Sequence, residues 1–278
     1  MNRGKFLLII LMMIFLQAAS YADYFTPQEV INYHENAIIQ WDAAQQALKD
    51  NPLDENEFVL DIGSGDGKIT ALIAQQLVQG TVIGIDASNN MIAFAKAKYS
   101  YPNLLFEVED INQISYQDKF DTIVSFFCLH WLDNQPTILK KIYNALMPEG
   151  KIIIVVPARE ANDFVNLIYD LSKTEKWNPY FKKSVTTRVT YTLDEYEVIL
   201  KSVGFTHIDV ELKTLESLFS REELDWWLHP IVSKNLPEAE QPLFIEELLD
   251  KMTSSQGWID SEGKIHIFSK NLQVTAYK

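Results

Sequence analysis

The stretch at residues 58–70 restricts the fold more than any other part of this chain. It begins with the apolar and β-branched residues that are typical of a buried parallel strand, namely Phe58, Val59, Leu60 and Ile62. Three alternating glycines follow, Gly63, Gly65 and Gly67, and an apolar helical pattern resumes at Ile69. Glycines allow both a tight turn and a close approach of a ligand to the main chain. Strand, glycine turn and helix therefore predict the first unit of a nucleotide-binding α/β sheet.

The spacing of the glycines argues against a dinucleotide as the ligand. The dinucleotide pattern G-x-G-x-x-G would require a third glycine where this chain has Lys68. The turn also carries two carboxylates, Asp61 and Asp66, and no lysine follows at the spacing of a phosphate-binding loop. Carboxylates repel a pyrophosphate and attract a cation. S-adenosylmethionine fits this preference, because it carries a sulfonium and an ammonium group but no phosphate.

Residues 61–67, D-I-G-S-G-D-G, resemble the acidic, glycine-rich first motif of class I S-adenosylmethionine-dependent methyltransferases. The resemblance implies a doubly wound, Rossmann-like α/β fold with a seven-stranded, mostly parallel sheet and an α-helical cover. It also implies that S-adenosyl-L-methionine is the cofactor. The residues that would hold it in this motif are Asp61, Gly63, Ser64, Gly65 and Gly67. The simpler alternative is a strand-to-helix turn whose glycines are incidental.

A second strand is predicted to end in an acid at the edge where this fold binds ligands. Residues 81–86 form this strand, and the Asp86 carboxylate at its end can accept hydrogen bonds from both ribose hydroxyls. Ala87 and Met91 lie at the start of the next predicted helix, residues 87–99, where Met91 is placed to pack on an adenine face. A plain helix N-cap is the alternative role for Asp86.

The third and fourth predicted strands also lead into candidate cofactor contacts. Asp110 and Ile111 follow residues 104–108. Asp110 resembles the acid that accepts the adenine amino group in this family, and Ile111 would pack beside the ring; a solvated acidic turn is the alternative. The fourth strand, residues 120–124, ends at Ser125, which the family fold would bring beside the sulfonium.

The segment after the fourth strand points to the methyl acceptor. Residues 125–131, S-F-F-C-L-H-W, closely resemble a segment ending in L-H-W in the trans-aconitate and juvenile hormone acid methyltransferases, both of which esterify carboxylates. The resemblance implies that Trp131, together with Gln40 from the N-terminal helix, holds the acceptor carboxylate. Indole and amide N–H groups both donate to a carboxylate without protonating it. A core tryptophan and a surface glutamine are the alternatives.

The predicted reaction is methyl transfer from S-adenosylmethionine to a small acceptor, first of all a carboxylate on a partly apolar acid. A carboxylate is ionised at neutral pH and needs no general base. A hydroxyl acceptor, on a quinone precursor or an alcohol, would need one, and His130 is the nearest candidate. His130 is equally explained as a packed histidine. The sequence is also compatible with a nicotinamide-dependent dehydrogenase and with an exported binding protein that has no activity.

Composition and charge argue against several other partners. Of the 278 residues, 24 are lysine or arginine and 38 are aspartate or glutamate, which gives a net charge of -14. Nucleic-acid-binding proteins carry a basic face, so a nucleic-acid substrate is disfavoured. The five histidines are dispersed and predict no metal site. The single cysteine, Cys128, allows no internal disulfide.

The N-terminus has the pattern of a secretory signal peptide. Arg3 and Lys5 precede an unbroken apolar run at residues 6–16, which is too short for an ordinary membrane-spanning helix. Ser20 and Ala22 provide the small residues of a cleavage site. An uncleaved anchor, which would be the one membrane contact, and a misassigned start codon are the alternatives. The compartment stays open, because an export signal conflicts with the cytosolic supply of the cofactor.

These patterns divide the chain into three parts. We expect a signal peptide at residues 1–22, a cofactor-binding core with an N-terminal cover helix at residues 23–160, and the rest of the sheet with a helical substrate cover at residues 161–278. The remaining predicted helices lie at residues 26–49, 133–146, 162–173 and 193–203, with two more within 217–252, and the remaining strands at residues 151–156, 205–212, 264–268 and 272–277.

Overall fold

A seven-stranded sheet forms the centre of the computed structural model, which describes residues 25–159, 163–181, 189–254 and 258–278. Its strands are β1 (Phe58–Ile62), β2 (Thr81–Asp86), β3 (Leu104–Val108), β4 (Phe120–Phe126), β5 (Leu146–Pro157), β6 (Thr206–Phe219) and β7 (Ile265–Tyr277). The strand order is β3-β2-β1-β4-β5-β7-β6. Strands β1 to β5 are parallel, and β7 runs antiparallel to both β5 and β6. The predicted doubly wound, mostly parallel sheet is confirmed.

Helices cover both faces of this sheet. They are α1 (Pro27–Asn36), α2 (Ile38–Asp50), α3 (Lys68–Gln76), α4 (Asn89–Lys98), α5 (Gln135–Ala145), α6 (Asp163–Ser172), α7 (Leu193–Val203), α8 (Arg221–Asn235) and α9 (Gln241–Ser254). A 3₁₀ turn at Leu129–Trp131 follows β4, and another lies at Glu238–Glu240. Within the described ranges, no helix has both the length and the apolar character needed to cross a membrane.

Successive residues of the central strands point to two separate cores. On one face, Val59 and Val82 pack with the alanine-rich sides of α2, α3 and α4. On the other face, Leu60 and Ile83 pack with α5 and α7. Because both faces are covered, parallel strands such as β1 read as continuous apolar runs rather than as alternating ones. The first core places α2 and the glycine turn on the same side of the sheet.

A ribbon of β6 and β7 extends beyond the carboxyl end of β5. Pro157, the last residue of β5, pairs with Asn271, and the six preceding residues of β7 pair with β6 but not with β5. Six residues of strand span roughly 20 Å. Helices α6, α8 and α9 pack on this ribbon around Phe219, Ile265 and Ile267. The ribbon therefore holds a helical cover above the carboxyl ends of the parallel strands, where α/β sheets bind their ligands.

The N-terminal helix predicted over residues 26–49 is in fact two helices. Ala37 separates α1 from α2, with φ -79° and ψ 52°, outside the helical region. Helix α1 packs against α4 and α8, whereas α2 lies against the sheet. The chain changes direction at Ala37, so that α1 contacts α4 and α8 while α2 contacts the sheet. The sequence gives no sign of this break, since alanine is the strongest helix former.

The two closing strands are longer than predicted. Strand β6 continues to Phe219, so residues 217–219 belong to a strand rather than to a helix. Strand β7 is continuous, although two strands were predicted on either side of the polar segment at residues 269–271. Ser269 and Asn271 are buried there, and Asn271 Nδ2 donates a hydrogen bond to Ser269 Oγ at 3.0 Å. Because the ladder to β6 is uninterrupted, these polar residues do not break the strand.

Candidate active site

The glycine turn after β1 has a conformation and a packing that only glycine satisfies. Gly63 and Gly67 have φ values of +75° and +80°, which L side chains rarely adopt. A Cβ on Gly63 would lie 2.4 Å from the Cβ of Cys128, and a Cβ on Gly67 would lie 2.6 Å from the Cζ of Phe106. At Gly65 the nearest atom would be 3.8 Å away, on the ring of Tyr33. The turn therefore leaves its main chain approachable at Gly65.

Asp86, at the end of β2, is tied to this turn. The Gly65 N–H donates to Asp86 Oδ2 at 3.1 Å, and the Ser88 N–H donates to Asp86 Oδ1 at 2.8 Å. Burial raises the pKa of Asp86, and these two hydrogen bonds oppose the rise. Ser88, not Asp86, is the N-cap of α4, and its Oγ accepts from the N–H of the buried Met91. Ala87, which is half-buried, lies between the carboxylate and the cap.

Two further buried carboxylates flank the turn. Asp61 is 2% exposed, and its Oδ2 accepts a hydrogen bond from Thr70 Oγ1 at 2.6 Å. Burial raises the pKa of Asp61 to about 7, with a further rise from the charges of Asp86 and Asp66, although the Thr70 hydroxyl lowers it. Asp66 Oδ2 lies 2.5 Å from His34 Nδ1. None of the salt bridges in the described part of the chain brings a lysine or arginine to these three acids.

The ends of β3 and β4 complete the same edge of the sheet. Asp110 is half-buried, and its Oδ1 accepts from the main-chain N–H of Asn112 at 2.9 Å, which closes a turn. Ile111 is buried in the core on the α5 side of the sheet. Ser125 Oγ donates to the carbonyl oxygen of Ile62 at 2.9 Å and so links β4 to β1. Asp110 keeps its second oxygen for a ligand, whereas the hydroxyl proton of Ser125 is already engaged.

The residues of this crevice fit a cationic ligand that approaches the main chain. Ser64 is buried in the turn, and its hydroxyl has no hydrogen-bond partner among the residues that the structure describes. Buried polar groups normally have partners, so Ser64 is available to a ligand. The buried Asp61 and the half-buried Asp86 have raised pKa values that a nearby positive charge would lower again. S-adenosylmethionine, with its sulfonium and ammonium groups, supplies that charge.

The predicted acceptor residues lie on the elements that adjoin the helical cover. Trp131 is 39% exposed, and its ring centroid lies 4.8 Å from that of His130, which is buried. Phe127, with φ +54°, packs against the cover cluster together with Ile38 at the start of α2. Gln40 follows in the same helix, and its Oε1 is buried without a hydrogen-bond partner in the described part of the chain. The beginning of α2 and the turn after β4 thus share one apolar wall.

Comparison with known proteins decides the family. The sequence family described as "Methyltransferase domain" matches residues 53–228, which is more than half of the chain. This chain belongs to that methyltransferase family. It is an enzyme that uses S-adenosylmethionine as its methyl donor, as the acidic glycine motif predicted.

Several relatives resemble this methyltransferase in sequence or in fold. Protein 235L of Invertebrate iridescent virus 6, named as a methyltransferase, is 31% identical and spans 83% of this chain and 87% of its own. The juvenile hormone acid O-methyltransferase of Drosophila melanogaster is 31% identical over 58% of each chain. The trans-aconitate 2-methyltransferase of Deinococcus radiodurans is 41% identical over 36% of this chain and 38% of its own. Phosphoethanolamine N-methyltransferase 2 of Haemonchus contortus, solved with S-adenosylhomocysteine, shares the fold, with a TM-score of 0.61 at 20% identity over 93% of this chain and 60% of its own.

Four residues that no sequence pattern singles out also lie at the crevice of the methyltransferase. They are Tyr33, His34, Thr70 and Cys128. Burial raises the pKa of Cys128 to about 12, which keeps the thiol neutral beside Gly63. Tyr33 and His34 were recognised only as part of a cover helix. The one hint in the sequence was that these two residues are adjacent in the N-terminal helix that leads to Gln40. No motif and no helical periodicity predicts that they reach the glycine turn.

Proposed function

We propose that this methyltransferase transfers the methyl group of S-adenosylmethionine to a carboxylate oxygen of a small, partly apolar acid. The observation that carries the proposal is the buried Oε1 of the half-buried Gln40, which has no partner within the described ranges and lies beside the apolar cover. Rotation of this amide exchanges Oε1 and Nε2, so the same position can present an N–H donor to a carboxylate. Trp131 provides a second N–H donor on the neighbouring turn.

The cofactor contacts that we propose follow the order of the strands across the sheet. Asp110 and Ile111 at β3 would hold the adenine, with Ala87 and Met91 beside it. Asp86 at β2 would accept from the ribose hydroxyls, because each of its oxygens retains a lone pair after the bonds to Gly65 and Ser88. Asp61, with the main chain of Gly63, Gly65 and Gly67 and the hydroxyl of Ser64, would hold the methionine moiety. Ser125 would form the floor beside the reacting centre.

The chemistry that we propose requires orientation rather than proton transfer. The cofactor supplies an electrophilic methyl group on its sulfonium. The acceptor carboxylate is ionised at neutral pH, so the protein only has to hold one oxygen in line and to exclude water. His130 would act by packing, because its buried ring lies between the rings of Phe127 and Trp131, at 6.3 Å and 4.8 Å. It would thereby fix the orientation of the Trp131 indole.

The apolar part of the acceptor would lie under the helical cover. The cover cluster contains large apolar side chains from α6, α8, α9 and the segment before residue 182, among them Phe164, Ile168, Trp177, Phe181, Leu228 and Phe244. Ile39 and the half-buried Phe127 join this cluster to the carboxylate-binding end. Relatives named for juvenile hormone acid, trans-aconitate and malonyl-[acyl-carrier protein] O-methylation support an acid as the acceptor.

The test compares two acceptors that differ only in the reacting group. Octanoic acid and octan-1-ol are each incubated with the full chain and S-adenosylmethionine, and the methyl ester or methyl ether is measured by mass spectrometry. The proposal predicts the ester and no ether. Trp131→Phe and Gln40→Ala should each lower kcat/KM for the acid by roughly tenfold or more, since each removes a hydrogen bond to a charged group.

Gln45→Ala is the matched control, because Gln45 lies on α2 as well but is exposed. It should leave the ester yield unchanged. Formation of the ether at a comparable rate would contradict the proposal, and so would an ester yield that is unaffected by both Trp131→Phe and Gln40→Ala.

A further inference from the structure

Tyr33 brings a phenol ring from α1 onto the glycine turn. Its Cε1 is the nearest atom to the position that a Gly65 Cβ would take, at 3.8 Å. The charges that act on its hydroxyl come from Asp66, Asp86 and Asp61, which all lie on the walls of the crevice. Burial and these acids raise the pKa of Tyr33 well above its ordinary value, so the phenol stays protonated. Tyr33 is therefore a neutral hydrogen-bond donor inside an acidic crevice.

The position of Tyr33 along the sheet edge indicates which part of the cofactor it would contact. The strand order places the end of β3 at one side, then β2, then β1. Asp110 follows β3, Asp86 ends β2 and Asp61 lies in β1. If adenine lies over β3 and ribose over β2, the methionine moiety lies over β1 and its glycine turn. The Tyr33 ring lies 3.8 Å from the position that a Gly65 Cβ would take, so it lies beside the methionine moiety rather than the adenine.

The main-chain N–H groups of all three glycines and of Ser64 in the turn are already engaged, which limits the donors that the turn offers to the methionine moiety. Its carboxylate is an anion in a crevice lined by acids, and only N–H or O–H groups can satisfy it. The N–H groups of Gly63 and Ser64 both donate to the carbonyl oxygen of Ile85, at 2.8 Å and 3.0 Å. The N–H of Gly65 donates to Asp86, and the N–H of Gly67 donates to the carbonyl oxygen of Ser64. Side-chain donors at the turn therefore gain weight, namely the Ser64 hydroxyl within it and the Tyr33 hydroxyl beside it.

A second contact fixes Tyr33 over the turn. The next residue, His34, has its Nδ1 2.5 Å from Asp66 Oδ2, and its ring packs on those of Phe94 and Tyr99, at 5.1 Å and 6.4 Å. Asn90 Nδ2 donates to the carbonyl oxygen of Phe25 at 2.7 Å, just before α1. Helix α1 is thus attached both to the glycine turn and to α4.

We propose that Tyr33 is a cofactor-binding residue whose hydroxyl donates a hydrogen bond to the carboxylate of the methionine moiety, and that the His34–Asp66 pair holds it in that position. This inference concerns the cofactor and is independent of the acceptor proposed above. It assigns α1 a direct role in binding, in addition to its role as a cover.

The test compares two ligands that differ by the amino-acid part of the cofactor. Calorimetric titration of the full chain uses S-adenosylhomocysteine, which carries the carboxylate, and 5′-methylthioadenosine, which lacks it. Tyr33→Phe should weaken binding of S-adenosylhomocysteine by roughly tenfold or more, since a hydrogen bond to a charged group is lost. It should leave binding of 5′-methylthioadenosine within about twofold, because the ring is retained.

The matched control is Tyr99→Phe, which removes a hydroxyl at the end of α4, on the other side of His34. It should leave both affinities unchanged. Equal losses for both ligands in Tyr33→Phe, or no loss for S-adenosylhomocysteine, would overturn the assignment.

The positioning role of His34 has its own readout. His34→Ala should reduce the ratio of the two affinities in the same direction as Tyr33→Phe, because Tyr33 is then no longer fixed. His34→Asn should restore part of that ratio, since an asparagine amide can donate to Asp66 from a similar position. If His34 had a purely structural role, His34→Ala would weaken the binding of both ligands by the same factor. An unchanged ratio of the two affinities would therefore refute the positioning role.

Discussion

Replacement of Asp61 by asparagine should stabilise the ligand-free methyltransferase and weaken its binding of the cofactor. Burial raises the pKa of Asp61 from 3.8 to about 7, and the charges of Asp86 and Asp66 add to the rise. A folded-state pKa above the unfolded value means that ionisation disfavours the folded state. The stability that Asp61 contributes is therefore complete below pH 3.8 and is lost as the pH rises to about 7.

The size of the effect follows from the shift in the pKa. A shift of about three units corresponds to about 4 kcal/mol, at about 1.4 kcal/mol for each unit. The lost free energy of unfolding is about 2 kcal/mol at about pH 5 and about 4 kcal/mol at about pH 8. Asparagine does not ionise, and its carbonyl oxygen can still accept the hydrogen bond from Thr70. Asp61→Asn should therefore recover this free energy, and the gain should grow with pH.

Urea denaturation of the ligand-free full chain, followed by tryptophan fluorescence at about pH 5 and about pH 8, measures the gain directly. Asp260→Asn is the control of opposite sign, because hydrogen bonds from the N–H of Lys264 and from His266 lower the pKa of Asp260. Because its lowered pKa leaves Asp260 ionised in both states above pH 3.8, the destabilisation by Asp260→Asn should not grow between about pH 5 and about pH 8. A gain in Asp61→Asn that does not grow with pH would refute the reasoning. Titration of the same variant with S-adenosylhomocysteine should give an affinity at least about tenfold weaker, since a charged partner is lost.

Two further predictions concern the turn and the cover. Gly63→Ala should lower the free energy of unfolding by about 1–2 kcal/mol through backbone strain and by about 1–3 kcal/mol more through overpacking against Cys128. Gly263 has φ +80° but open space around it, so Gly263→Ala should cost only the strain. Equal urea midpoints would contradict this difference. Trp177→Phe should lower the free energy of unfolding by about 2 kcal/mol, because the buried Nε1–H donates to Glu247 at 3.0 Å. A thermal midpoint unchanged from wild type would show that this bond contributes nothing.

The central strands could be read from the sequence because their environment is uniform. Strands β1, β2 and β3 begin and end where the apolar runs predicted, since parallel strands are buried on both faces and turns bound them. Helix α7 also matches, because Thr192 caps its start and Gly204, with φ +117°, ends it. The break at Ala37 and the continuity of β7 depend on contacts with distant elements. A local pattern does not contain that information.

Some residues of the candidate site could be predicted from the local sequence, and others could not. Asp86 and Asp110 were predictable because strand ends in this fold meet at one edge, so their position in the chain gives their position in space. Tyr33 and His34 reach the crevice only because α1 separates from α2 and crosses to α4. The glycines were predicted from a tight turn and from the close approach of a ligand, whereas the packing of Cys128 against Gly63 has no signal in the sequence. The residues predicted to form the signal peptide lie outside the described part of the chain.

Calorimetric titration of the full chain with S-adenosylhomocysteine tests the central claim most directly, namely that the acid-lined glycine turn holds the cofactor. The account predicts saturable one-to-one binding to the wild type and a clear loss of affinity in Asp86→Ala. Asp209→Ala, which removes an exposed acid from β6, should bind as the wild type does. Absence of binding in a protein that unfolds cooperatively, or an unchanged affinity in Asp86→Ala, would contradict the account.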